Sequence, residues 1–155
     1  MRILGIDYGD RRIGLAISDP MGIIAHGLPT LKNASEEQVL REIGAIIRER
    51  EVEEIVLGLP RNMNDTLGPQ AQKVMKFAEK LTPLGKPVHL ADERLTSERA
   101  RRVMDEAGFS FARQRRSVDR MAAQFILQTY LDARRSTPAY QADEQGQTET
   151  DADEQ

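Results

Sequence analysis

The stretch ILGIDYGDRRIGLAISD, residues 3–19, decides the fold of this chain. Two apolar runs flank a short polar segment, and the first run contains a single carboxylate, Asp7. The pattern predicts two buried strands, 2–7 and 12–18, joined by a tight turn over residues 8–10. Burying an unpartnered carboxylate is costly or shifts its pKa. Asp7 therefore needs a compensating partner elsewhere in the chain.

The remaining elements predict an α/β fold. Ser35 is a suitable N-cap for a helix, and EEIVLGLP is a short apolar strand that ends at Gly58 and Pro60. The other predicted elements are an extended segment over 22–31, helices over about 35–50, 65–81, 97–107 and 118–134, and a strand over 87–91. Three strands joined by short turns, followed by alternating helices and strands, predict a mixed sheet with helices on its faces.

Length and composition predict a single cytoplasmic domain. The chain has 155 residues, of which 39% are hydrophobic and 30% are charged, as in ordinary globular proteins. No apolar run is long enough to span a membrane, and the N-terminus lacks a signal-peptide profile. The absence of cysteine excludes disulfides and thiol catalysis. We expect a domain over 1–135 and a disordered tail over 136–155.

Charge is distributed unevenly along the chain. The tail from Ser136 holds six acidic residues and no Lys or Arg, so residues 1–135 carry a net charge of +3 although the whole chain carries −3. Seven arginines lie between positions 99 and 120, among them Arg113, Arg115 and Arg116. This cluster is either a solvated surface or a patch that binds phosphates.

Several carboxylates lie at or near the ends of predicted strands and helices, and this placement favours a metal site. Asp7 lies in the first strand, Asp92 and Glu93 follow a later strand, and Asp119 opens the last predicted helix. Such residues would repel one another at one sheet edge unless a cation neutralised them, and oxygen ligands favour Mg²⁺ or Mn²⁺. Two ions about 4 Å apart could activate water and stabilise the leaving oxygen of a phosphodiester. The pattern therefore indicates a metal-dependent nuclease.

Each carboxylate also has a simpler interpretation. Asp7 is suited to begin a turn before Gly9, and Asp119 would favour the dipole of a helix N-terminus. Glu93 could form a local ion pair with Arg94. Adjacent residues of an extended segment point to opposite sides, and we favour Glu93 over Asp92 as the ligand.

Further candidates for nucleic-acid contacts lie in turns and loops. Arg61 and Asn62 occupy the loop before the second predicted helix, which Asn64 or Asp65 is suited to cap. Arg11 directly follows the first turn and Arg94 follows the predicted ligand Glu93. The alternative is an ordinary set of surface loops.

Four blocks together resemble the YqgF family of Holliday-junction-resolvase-like proteins. They are GIDYGDRRIGLAISD, VLGLPRNMNDTLGPQA, DERLTSERAR and VDRMAAQFILQTYL, and the resemblance covers residues 2–134. It implies an RNase H-like fold, a five-stranded mixed sheet whose first three strands are antiparallel. It also implies a divalent-metal-dependent nuclease of pre-16S ribosomal RNA 5′-end maturation, with Asp7, Glu93 and Asp119 as the carboxylates. Residues 62–66 depart from the family pattern, because Asn64-Asp65 replaces Asp-Gly.

Other functions fit parts of the same pattern. The DYGDRRIG block also resembles the first phosphate loop of actin-like ATPases and sugar kinases, but those proteins need a second domain and a second glycine-rich motif. A branched-DNA resolvase and a non-catalytic RNA-binding module remain open alternatives. The sequence leaves open whether the protein is a monomer or a homodimer.

Overall fold

The fold is a five-stranded sheet with helices on both faces. The computed structural model describes residues 1–60, 68–92 and 111–136, with side chains for 121–135 in the last segment. The elements are β1 (Arg2–Tyr8), β2 (Arg12–Ser18), β3 (Ala25–Lys32), α1 (Glu36–Glu49), β4 (Val52–Leu59), α2 (Pro69–Leu81), a 3₁₀ turn (Thr82–Leu84), β5 (Val88–Asp92) and α3 (Phe111–Ser136).

The sheet has the predicted mixed topology. Its strand order is β3-β2-β1-β4-β5. The hairpin neighbours β1–β2 and β2–β3 pair antiparallel, whereas β1–β4 and β4–β5 pair parallel through crossover connections. The α/β class and the antiparallel arrangement of the first three strands are thus confirmed. In this order the carboxyl ends of β1, β4 and β5 meet at one edge of the sheet.

Alternation along β1 divides the core into two layers. Leu4 and Ile6 are fully buried and face α1 and α2, whereas Ile3 and Gly5 face α3. The first layer also contains buried residues of β2, β4, α1 and α2. The α3 layer is smaller and consists of Ile3, Ala16, Ala25, Val56, Ala123, Ile126, Leu127 and Leu131. The central strands are apolar throughout because both of their faces are covered.

Contacts in the middle and at the C-terminal end of α3 fix its direction on the sheet. Near the middle of β1, a β-carbon built at Gly5 would lie 2.8 Å from Cβ of Leu127 and 3.3 Å from the carbonyl oxygen of Ala123. At the start of β4, Arg134 donates to both carboxylate oxygens of Glu54 at 2.7 and 3.4 Å. From its C-terminal end toward its N-terminus, α3 therefore passes from the start of β4 to the middle of β1 and continues toward the carboxyl end of β1.

Glu54, Arg134, His89 and Tyr130 form a polar cluster beneath the end of α3. The Nε2 atom of His89 lies 3.8 Å from Oε2 of Glu54, and the ring of His89 stacks on Tyr130 with centroids 5.7 Å apart. Burial, followed by the nearby charge of Glu54, raises the pKa of Tyr130 above its ordinary value. These contacts attach α3 to β4 and β5.

The third strand begins later than predicted because Asp19 organises a turn before it. Oδ1 of Asp19 accepts hydrogen bonds from the backbone N–H groups of Ile23 and Ile24 at 2.6 and 2.9 Å. Gly22 adopts a left-handed φ of 71°, which a side chain would disfavour. The prediction of an extended segment from residue 22 was therefore wrong at its start, and β3 begins at Ala25.

Replacing Asp19 with asparagine should destabilise the protein in a pH-dependent way. The N–H groups of Ile24 and Ile23 hold the pKa of Asp19 below its ordinary value of 3.8. The charged form thus stabilises the fold above the unfolded-state pKa, and this stabilisation disappears as the pH falls through the folded-state pKa. We expect Asp19→Asn to lower the urea midpoint at pH 7 and to match the wild type in strong acid. A difference that stays constant with pH would contradict this expectation.

Two helices also begin at different places from those predicted. Gly68 is the N-cap of α2 and Pro69 is its first residue, a position where the missing N–H of proline costs nothing. The proposed caps, Asn64 and Asp65, are therefore wrong. Helix α3 begins at Phe111 instead of residue 118. The predicted helix over 97–107 lies outside the described residues.

Ser35 is the N-cap of α1 as predicted, and its hydroxyl accepts a hydrogen bond from the N–H of Gln38. No helix in the described ranges is both long enough and apolar enough to cross a membrane.

Candidate active site at the carboxyl edge of the sheet

Asp7 lies one residue before the end of β1, in the centre of the sheet. It is half-buried, and alternation from Ile3 and Gly5 places it on the face covered by α3. The next residue, Tyr8, packs on the other face, where its ring lies 4.5 Å from that of Phe77. Asp7 is thus held in a paired strand and is not a free turn residue.

The neighbours of Asp7 on this face have little or no side chain. Asp7 is opposite Gly14 in β2. The β1–β4 register pairs Ile6 with Leu57, so the next position along brings Gly58 beside Asp7. Gly58 in turn pairs with Ala91 of β5. Within the described strands, the residues beside Asp7 on this face are therefore small.

Helix α3 carries position 119 toward the same edge. Ala122, Ala123 and Ile126 are buried against the sheet, as the sequence predicted. Position 119 lies one turn, or about 6 Å, beyond Ala123, just as Asp7 lies two residues beyond Gly5. Asp119 does not open the helix, and helix-dipole effects are confined to the first turn. The dipole interpretation of Asp119 therefore fails, while its side chain lies outside the described part of the chain.

Strand β5 ends at Asp92, the first of the two neighbouring acids Asp92 and Glu93. Asp92 pairs with Leu59, whose side chain belongs to the core under α1 and α2. Asp92 is therefore on the face opposite Asp7, which agrees with the preference against it. Glu93 follows directly but lies outside the described residues, as do Arg61, Asn62 and Arg94.

The turn after Asp7 is held by three other elements. The N–H of Gly9 donates to the carbonyl of Arg12 at 3.0 Å, and a β-carbon at Gly9 would lie 2.6 Å from that same oxygen. Nδ2 of Asn33 donates to the carbonyl of Gly9, and the N–H of Asn33 donates to the carbonyl of Arg11, each at 2.8 Å. On the α2 side, Lys73 pairs with Asp10 at 3.1 Å. These contacts fix the backbone that presents Arg11 to solvent.

Sequence reasoning missed Asn33. It lies 24 residues from Gly9, and no periodic pattern connects an asparagine after one strand with the turn of an earlier hairpin. The available signal was local: Asn33 lies just after a predicted strand and two residues before the predicted N-cap, Ser35.

The chemistry of Asp7 fits a metal ligand, although the described side chains do not complete a site. Asp7 is a half-buried carboxylate beside two glycines of the neighbouring strands, and carboxylate oxygens suit Mg²⁺ or Mn²⁺. Within residues 1–60, 68–92 and 121–135, no three His, Asp or Glu side chains form a metal-binding group. The other expected ligands, Glu93 and the Asp119 side chain, are outside that set.

The arginine cluster is placed only in part. The backbone of residues 113–116 lies at the start of α3, so Arg113, Arg115 and Arg116 are helical. Their side chains are not among the described ones, and their role in binding stays a prediction.

The sheet order and the α3 layer are those of an RNase H-like fold. The structure of T. thermophilus RuvC in complex with Holliday junction substrate matches with a TM-score of 0.53 and 16% identity, covering 88% of this chain and 98% of that chain. The Fowlpox virus resolvase bound to Holliday junction DNA matches with a TM-score of 0.51 and 13% identity, covering 86% and 98%. Both likenesses concern the fold.

Sequence comparison identifies the family. The profile of RuvX, described as Holliday junction resolvase, matches residues 1–133. A protein of Clostridium kluyveri named "Putative pre-16S rRNA nuclease" is 49% identical over 133 residues, 85% of this chain and 97% of that protein. A protein of Thermoanaerobacter pseudethanolicus with the same name is 49% identical over 138 residues, covering 88% and 99%. The chain belongs to the RuvX (YqgF) family, and a nuclease role fits these findings.

Proposed function

We propose that this protein is a divalent-metal-dependent endonuclease that hydrolyses phosphodiester bonds in the 5′-end processing of pre-16S rRNA. The observation that carries the proposal is Asp7, a half-buried carboxylate at the carboxyl end of β1, on the face toward which α3 carries position 119. The names of the 49% identical relatives support the choice of RNA as substrate. We place the reaction in the cytoplasm.

The proposed metal ligands are Asp7, Glu93 and Asp119. They come from β1, the segment after β5, and α3, and the grouping is supported by the carboxyl ends of the parallel strands β1 and β5, which lie at the same edge of the sheet. When bound there, two Mg²⁺ or Mn²⁺ ions would activate a water molecule and stabilise the leaving oxygen. Electrostatic repulsion among the acids is the reason to expect an ion at this edge.

The chain itself contributes rigidity and orientation. Asp7 is paired with Gly14 within the sheet, so its backbone cannot move independently of β2. The hydrogen bonds from Asn33 fix the following turn and with it the backbone of Arg11. A fixed constellation needs little reorganisation when the phosphodiester becomes more negative in the transition state.

Arginines and one asparagine are proposed to contact the RNA backbone. Arg11 is exposed in the turn that follows Asp7. The remaining proposed contacts are Arg61, Asn62, Arg94, Arg113, Arg115 and Arg116. Contacts of this kind bind phosphates irrespective of base sequence and make the affinity depend on salt.

Metal removal is the direct test of this proposal. A labelled RNA that spans the 5′ end of 16S rRNA and its leader should be cut in Mn²⁺ or Mg²⁺ and left intact in EDTA, because the carboxylates need an ion to act. Gel analysis of the products over time would measure the rate. Cleavage that is insensitive to EDTA would contradict metal dependence.

The alternative function is that of a branched-DNA resolvase. It is tested by comparing the cleavage of a four-way DNA junction with that of a linear duplex of the same sequence. The description of the family as Holliday junction resolvase is the observation that favours it. Preferential cutting of the DNA junction would replace RNA by branched DNA as the substrate class. Tight RNA binding without metal-dependent cleavage of any substrate would instead indicate a binding module in ribosome assembly.

A further inference from the structure

Side chains of α3 cover the outer edge of β3 at its start. Strand β3 is the last strand on one side of the sheet, and Ile24 directs its backbone N–H and C=O groups toward Asp19. Because successive residues of an extended chain point these groups in opposite directions, those of Ile23 and Ala25 are directed away from β2. Backbone groups at a sheet edge need a partner once another element covers them.

Gln128 binds this edge through both ends of its side-chain amide. Its Oε1 accepts a hydrogen bond from the N–H of Ala25 at 2.9 Å, and its Nε2 donates to the carbonyl of Ile23 at 2.9 Å. The same Nε2 donates to Oδ1 of Asp132 at 3.0 Å, which fixes the orientation of the amide. One helical turn earlier, Nε2 of Gln124 donates to the carbonyl of Ala25 at 3.2 Å. The two glutamines thus hold three backbone groups at the start of β3.

These hydrogen bonds are directional, whereas the apolar contacts around them are not. The same part of α3 packs on the sheet through buried Ala122, Ala123 and Ile126. Burial of apolar surface favours contact without specifying a direction, and Gly5, which lies under Ala123, has no side chain to interlock with the helix. A hydrogen bond requires a defined distance and angle. The glutamines therefore restrict movements of α3 that its apolar layer permits.

A second polar attachment lies near the C-terminal end of α3, where Arg134 binds Glu54. An attachment at one end leaves the other end of a helix able to swing. Asp119 is fifteen residues from Arg134, or about 22 Å along the axis, so a tilt of about 5° would move it by about 2 Å. Gln124 is five residues, or about 7.5 Å, from Asp119. The glutamines are thus placed to prevent this swing.

We propose that Gln124 and Gln128 are positioning residues, which hold the N-terminal half of α3 on β3 and thereby set the distance from Asp119 to Asp7. The inference rests on the proposed nuclease function, in which both acids bind the same ions. Both glutamines act through the helix that carries Asp119. A displacement of about 1 Å at a reacting centre can cost about 100-fold in rate, so a loosely held helix should impair the site.

Gln128→Met tests the inference, because methionine keeps the length of the side chain and removes its hydrogen bonds. In ¹H–¹⁵N spectra recorded without metal, the amide resonances of residues 117–121 should shift, although these residues are at least seven positions from the substitution. Titration with Mn²⁺, measured by electron paramagnetic resonance of the free ion, should give an affinity about tenfold weaker than that of the wild type. RNA affinity in EDTA should stay unchanged, so that the loss of cleavage lies in the single-turnover rate.

Arg134→Met is the matched control, because it removes the polar attachment at the other end of the same helix. It leaves the half-buried carboxylate of Glu54 without its two hydrogen bonds from arginine. The urea midpoint should therefore fall at least as far as in Gln128→Met. The Mn²⁺ affinity and the resonances of residues 117–121 should nevertheless remain those of the wild type, because the glutamines still hold the nearer half of α3.

The outcomes separate the inference from the function on which it rests. Unchanged resonances of residues 117–121 in Gln128→Met would overturn the inference. It would also be overturned by shifted resonances with wild-type Mn²⁺ affinity and cleavage, or by equal losses of Mn²⁺ affinity in Gln128→Met and Arg134→Met. Shifted resonances in Gln128→Met, together with a wild type that neither binds Mn²⁺ nor cleaves, would reject the nuclease function and retain the attachment of α3 to β3.

Discussion

Asp7→Asn should reduce metal-dependent cleavage by more than about 100-fold, since changes in residues that merely support metal ligands already cost 10–100-fold. Asparagine keeps the size of the side chain and removes the negative charge that would hold a divalent ion. Asp7 is half-buried and paired in β1, so a neighbouring acid cannot easily take its place. Single-turnover cleavage with excess protein isolates the effect on the chemical step.

RNA binding should survive the same substitution. The phosphates are proposed to bind to arginines, and removal of an acid near them does not weaken that attraction. Anisotropy in EDTA should therefore give an affinity equal to or higher than that of the wild type. Cleavage within tenfold of the wild-type rate would contradict the role of Asp7.

Asp10→Asn is the matched control for Asp7→Asn. Asp10 lies three residues later, is exposed, and forms its ion pair with Lys73 on the α2 side of the sheet. Exposed pairs of this kind contribute about 0–1 kcal/mol to stability. Asp10→Asn should therefore cleave RNA at nearly the wild-type rate, and a large loss would show that the reaction depends on the charge of the turn.

Gly5→Ala should lower the free energy of unfolding by about 1–3 kcal/mol, the usual cost of overpacking a core. The new β-carbon would lie 2.8 Å from Cβ of Leu127 and 3.3 Å from the carbonyl of Ala123. Both atoms are part of α3 or attached directly to its backbone, so the helix itself must move away from the sheet. Urea unfolding at neutral pH measures the loss.

Gly44→Ala makes the same chemical change, but it should raise the free energy of unfolding. Its β-carbon would meet only Nη1 of Arg48 at 3.4 Å and Cδ2 of Leu84 at 3.6 Å, and the first is the end of a flexible side chain. Replacing a glycine in a helix interior should then stabilise α1 by roughly 0.5–1 kcal/mol. Equal effects of the two substitutions would contradict the close approach of α3 to Gly5.

Gly5→Ala should also impair cleavage in the fraction that remains folded. Helix α3 carries Asp119, and a displaced helix would move that residue relative to Asp7. The combined loss of stability and activity would support the role of this glycine in setting the height of α3 above the sheet.

The sequence by itself determined the strands of the sheet and their succession along the chain, except for the start of β3. Alternating and continuous apolar runs identify a strand because its side chains must enter a core with a period of two. The two strands around Asp7 and the helix cap at Ser35 are confirmed on this basis. The α/β class follows from the same local patterns.

Only the tertiary structure decided which acids share a face and where the helices begin. Asp7 and Asp92 are both acids at strand ends, but the register of β4 and β5 directs Asp92 to the opposite side. Helix α3 starts well before Asp119. Asn33 reaches Gly9 because β3 pairs with β2 and its end therefore lies beside the β1–β2 turn. Local patterns specify the period of a segment, whereas register and long-range packing specify which side chains meet.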